Sequence, residues 1–172
     1  MSAETWTVGV VVDKRPLKSV WQPFAWVPSA ALVAAPPVDR WSPLGRDGDV
    51  ERFFAGPATL TLWPGETDTY RHNLESAAPS VYVVLRKDDG ERGLDLLLAT
   101  VDAGEAHAHA DTGDDIVEPV PLPDEIRAWM AAFVERHHVE RTRYKRQRDR
   151  ADPEALAVGR HLRRPAGDED EG

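Results

Sequence analysis

His107 and His109 stand two residues apart in GEAHAHAD, and Asp111, Asp114 and Asp115 follow closely. On a strand, side chains two apart point the same way, so such a pair with a carboxylate could share a transition metal. The glutamate, further histidine and glycine markers that would complete a site of that kind do not follow at a usable spacing. The segment therefore reads as a solvent-exposed loop, with metal or cofactor chemistry at His107 and His109 as the alternative. His137 and His138 are neighbours in a helical stretch, where adjacent side chains diverge by about 100° and cannot chelate together. They read as one core-edge and one solvent- or partner-facing histidine.

Nucleophilic catalysis has less support. No serine sits in a G-x-S-x-G turn, and the absence of cysteine excludes a thiolate nucleophile, a disulfide, Cys-ligated zinc and an iron–sulfur cluster held by this chain. GRDGD at 45–49 lacks the Lys-Ser/Thr pair of a phosphate-cradling loop and reads as a turn. No catalytic or metal-ligating set emerges, and the chain reads as a non-enzyme with no cofactor of its own.

Two segments could instead recognise a partner. Trp21, Phe24 and Trp26 follow the basic run KRPLK. Aromatic and cationic groups together can stack bases or form an interface hot spot, although aromatics more commonly fill a core. At 121–150, Pro123 and Asp124 start a helix in which Ile126, Trp129, Met130, Phe133, Val134 and His137 recur at three-and-four spacing. That half should pack inward. Beyond it, Arg141, Arg143, Lys145, Arg146, Arg148 and Arg150 face a single acid, Asp149, so this half should project as a basic arm. Guanidinium forks on such an arm bind carboxylate or phosphate; a solvated helix end is the simpler reading.

The elements that would position these groups are mostly strands. Thr7–Val12, Trp26–Val33 and Ala58–Trp63 are β-branched or alternating runs closed by proline, glycine or aspartate. Val81–Leu85 and Leu94–Val101, joined through Asp88, Asp89 and Gly90, predict an antiparallel hairpin at the centre of a sheet. Glu66–Glu75 is compatible with a loop or a short helix. An apolar sheet face needs a cover, and the long C-terminal helix, about 123–148, is the candidate. The predicted fold is α+β: mainly antiparallel β sheet, or a partial barrel, covered by one long C-terminal helix.

A length of 172 residues suits one domain, here 1–150, with 151–172 as a charged tail ending GDEDEG. The net charge of −9 is uneven: residues 1–135 carry 11 cations and 22 anions, whereas 136–164 carry 10 and 4. The acidic body argues against nucleic acid as a partner. No apolar run is long enough for a bilayer span and no export signal is present, which predicts a cytoplasmic protein.

VGVVVDKRPLKSVWQPFAWVP, ETDTYRHNLESAAPSVYVVLR and VEPVPLPDEIRAWMAAFVERHHVERTRYKRQRDR resemble, in order, the successive blocks of a bacterial family, domain of unknown function 3305, over roughly residues 8–150. That resemblance implies an accessory role, because members are typically encoded near formate dehydrogenase subunits and molybdenum-cofactor maturation proteins. The implied partner is a molybdoenzyme subunit or a maturation factor, contacted through the arm, His137, His138, Trp21 and Trp26. Some members carry a label of molybdopterin-cofactor biosynthesis. The glycine-rich nucleotide loop and metal-binding aspartates of that chemistry are not found in this sequence.

Overall fold

The computed structural model describes residues 2–137. Among these described residues, seven strands form two antiparallel sheets. The first sheet contains β1 (Glu4–Pro16), β2 (Phe24–Leu32), β3 (Ser42–Asp47) and β4 (Val50–Leu62) in the order β2-β1-β4-β3. The second contains β5 (Ser80–Lys87), β6 (Leu94–Thr100) and β7 (Asp115–Pro121) in the order β6-β5-β7. A 3-10 turn at Pro64–Glu66 leads into α1 (Thr67–Glu75), α2 (Ala103–Ala110) joins β6 to β7, and α3 spans 124–137.

β1 explains the first sheet. Val8, Val10, Val11 and Val12 are all buried, and stiff β-branched side chains suit a strand hydrogen-bonded on both edges. Gly9 lies among them because the segment after β2 crosses close above: a Cβ there would sit 3.2 Å from Ala35 Cα and 3.1 Å from the Phe54 ring. In the second sheet, Val81, Val83 and Leu85 of β5 face the same core. β4 approaches β6 and β2 approaches β7, so one apolar cluster draws on both sheets and on Ile126, Met130 and Phe133 of α3.

The predicted architecture of one sheet under a long helix is corrected here. Among the described residues there are two sheets and three short helices, and the 14 residues of α3 at 124–137 do not form a long helix over the sheet. Geometry gives the reason. Fourteen helical residues reach about 21 Å, whereas the 13 residues of β1 run about 43 Å. The rest of the cover is supplied by the second sheet.

Three elements escaped the sequence reading. β3 and β7 are short, rich in proline and charge, and mostly exposed or half-buried, so neither shows apolar alternation. α2 replaces the expected loop: Asp102 caps it by accepting from the Gly104 and Glu105 N–H groups at 2.8 and 3.2 Å. The hairpin of β5 and β6 is present, with β5 central and β6 at the edge of its sheet. The undecided stretch before it is helix α1. Among the described residues, no helix is long and apolar enough to cross a membrane.

Candidate docking groove

The 17–23 connection between β1 and β2 is held by the Leu17 N–H donating to Pro23 O at 2.8 Å, and Ser19 Oγ accepts from the Trp21 and Gln22 N–H groups. Such a hydroxyl-stabilised turn leaves its tip free of the core. Val20 and Trp21 are each 95% exposed, and Leu17 is also exposed. Three apolar side chains placed together in solvent by an ordered turn make a surface that solubility does not explain.

Below the turn, β2 carries Phe24 and Trp26. Register places Lys14 of β1 opposite Trp26, and the Lys14 ammonium lies 4.2 Å from the Phe24 ring centre and 5.6 Å from that of Trp26. Trp26 makes edge contacts with Phe24, Trp41 and Phe53 at centroid distances of 5.9, 5.5 and 5.4 Å. Its indole Nε1–H is buried without an acceptor. Trp41 adopts a left-handed φ of 64°, costly for a bulky residue. It is held there by its own N–H to Phe54 O and by Nε1 donating to Asp95 at 2.9 Å. Arg92 stacks on the Trp41 ring at 3.9 Å.

The second sheet completes the opposite wall. A groove of ≈ 340 Å³ runs between β2 and the ends of β5, β6 and β7, lined by Trp21, Phe24, Trp26, Lys87, Arg92 and Ile116 among others. Three residues singled out in sequence, Trp21, Phe24 and Trp26, are thus brought to one site. Lys87, Arg92 and Ile116 join them only through tertiary packing, and nothing local in the sequence announces them.

His137 lies elsewhere. It is half-buried on α3, 4.5 Å from the Phe133 ring. α3 packs against the opposite end of β1, where Trp129 meets Trp6 at 5.5 Å and donates to Glu4 at 3.0 Å. His138, Arg141, Arg143, Lys145, Arg146, Arg148 and Arg150 lie outside the described residues.

The histidine pair is corrected too. His107 and His109 are on helix α2, not on a strand, so side chains two apart diverge by about 200°. His107 is exposed, while His109 Nδ1 lies 3.0 Å from the buried Asp115 carboxylate. Arg86 grips that carboxylate through Nε and Nη2 at 2.8 and 3.0 Å, and this guanidinium, ahead of His109, holds Asp115 below the usual carboxylate range. Among the described residues, no group of three or more histidines and acids is placed to hold a metal.

A second, more polar cleft of ≈ 290 Å³ lies between β4, α1, β6 and α2, lined by Thr61, Trp63, Tyr70, Thr100, Asp102 and Glu105 among others. The Tyr70 hydroxyl accepts the Trp63 N–H at 2.8 Å, and burial pushes it up to about 12. That hydroxyl stays protonated at physiological pH and is structural rather than a base.

Comparison with known proteins adds one match: the model of a family described as "Protein of unknown function (DUF3305)" covers residues 7–148. Neither a curated protein nor a solved structure matches the chain.

Proposed function

The chain belongs to the DUF3305 family, and from that premise we propose that it is a non-catalytic accessory protein that docks a partner protein through the groove between β2 and the second sheet. The observation that carries this reading is Trp21, 95% exposed on an ordered turn at the rim of an aromatic, cation-bearing groove. Exposed tryptophan beside a preformed pocket is the usual anchor of an interface, because a rigid ring buries a large area at small entropic cost. The partner we assign is a molybdoenzyme subunit such as one of formate dehydrogenase, or a factor of its maturation, in the cytoplasm. Support for that identity comes from the family resemblance and not from the groove. The basic arm at Arg141–Arg150 is proposed as a second contact, to an acidic surface of the same partner.

Capture of the tagged chain from its native host under molybdenum-replete growth tests the reading. Formate dehydrogenase subunits or cofactor-insertion proteins should co-purify, and Trp21→Ala should abolish their recovery. Recovery of no such protein, or undiminished recovery with Trp21→Ala, would overturn it.

A further inference from the structure

Lys87 and Arg92 line the groove, Lys14 lies over the ring of Phe24 in its wall, and among the described residues none of the three forms an ion pair. This is unusual for a chain of net charge −9. Asp95 is committed elsewhere: it accepts from Trp41 Nε1 and from the Leu96 N–H, with Arg40 3.9 Å away. The turn acids Asp88, Asp89 and Glu91 do not line the groove. Lys14 and Arg92 instead lie over aromatic faces, which position a cation without neutralising it. The groove therefore presents two cations outside any ion pair in a predominantly acidic body: Lys87, and Arg92, whose Nη1 donates to Leu94 O at 3.3 Å and whose charge helps hold the Asp95 carboxyl below its ordinary value.

Two further features narrow the occupant. β2 and β7, each at the edge of its sheet, approach one another beside the groove. A volume of ≈ 340 Å³ admits one or two side chains and not a folded domain.

Resting on the docking reading above, we propose that the groove receives an extended acidic peptide segment of the partner. One large apolar side chain of that segment sits against Phe24, Leu94 and Ile116. An adjacent carboxylate is held by Lys87 and Arg92. A polyphosphate strand fits less well, because residues 1–135 carry twice as many anions as cations and repel a long polyanion.

Fluorescence polarisation on the full chain tests this, with three dye-labelled probes. These are a short peptide alternating aspartate and leucine, the same peptide with asparagine for aspartate, and a short oligothymidine. The aspartate peptide should bind at least about tenfold more tightly than its amide twin, the effect of roughly one charge-assisted contact. Lys87→Gln with Arg92→Gln should erase that preference, with the thermal midpoint recorded to show that the fold persists; Lys87→Gln alone, away from the Trp41 stack, should reduce it. Equal binding of the two peptides, no binding of either, or tighter binding of oligothymidine would overturn the inference. Failure of the two readings is distinguishable. If Lys87→Gln with Arg92→Gln retains the captured host partner undiminished while Trp21→Ala loses it, the docking role stands and the acidic segment falls. Peptide selectivity with no host partner gives the reverse.

Discussion

The Asn73 side chain forms a two-way clasp with the backbone of Ser80: its Oδ1 accepts the Ser80 N–H at 2.9 Å while its Nδ2 donates to Ser80 O at 2.8 Å. Nδ2 also donates to Val101 O at 3.0 Å, so one buried amide on α1 ties the start of β5 to the end of β6. Asn73→Ala would strand one donor and two acceptors in the interior. A loss of about 2–4 kcal/mol of unfolding free energy is expected in urea titration, since each stranded group costs about 1–3 kcal/mol and local relaxation recovers part. Asn73→Asp should recover little, because a carboxylate cannot donate to the two carbonyls.

Phe133 has no exposed surface and meets Tyr70 at 6.2 Å on one side and His137 on the other. Phe133→Ala should cost about 3–5 kcal/mol through lost burial and the cavity left behind. Trp21→Ala should stay within about 0.5 kcal/mol, since an exposed ring contributes little to folding. Thermal melts of the two variants side by side would separate core from docking surface.

Tyr70→Phe removes the acceptor of the Trp63 N–H and should destabilise by about 1–3 kcal/mol. The unmodified chain should lose stability as pH rises from about 10 towards about 12, because the folded state keeps a proton that the unfolded state releases at its ordinary value of 10.0. Tyrosinate absorbance followed against pH checks this: the late-titrating component should vanish in the variant.

Asp115 supplies the acid-side counterpart. Its carboxyl titrates below 3.8 in the fold, chiefly because Arg86 binds the ionised form. Its contribution to stability is therefore complete above about pH 4 and is lost as pH falls through the depressed value. Asp115→Asn should lower the melting temperature at neutral pH, and the gap to the parent chain should close as pH drops below 3.8. A gap that is constant over that range would show that the Arg86 contact carries no net electrostatic stabilisation.

Local pattern alone determined several parts of this protein. The Val8–Val12 run, the alternation at 58–63, and the apolar runs before and after Asp88 mark strands. Ile126, Met130 and Phe133 mark the inward face of a helix, because burial repeats with the period of the element that carries it. Trp21, Phe24 and Trp26 stand out as a recognition candidate on composition alone, as aromatics following the basic run KRPLK, and not through any burial period. Tertiary structure alone decided the rest. β3 and β7 become strands because β4 and β5 offer them partners, and residues such as Pro119 and Glu118 carry no intrinsic strand signal. α2 carries a local mark, Asp102 followed three residues later by Glu105, which is an N-terminal helix signature. Division into two sheets depends on pairings far apart in sequence. The groove inherits that dependence: Trp26 meets Lys87, Arg92 and Ile116 only after β2 comes to lie against β7, a relation of spatial packing that no local spacing encodes.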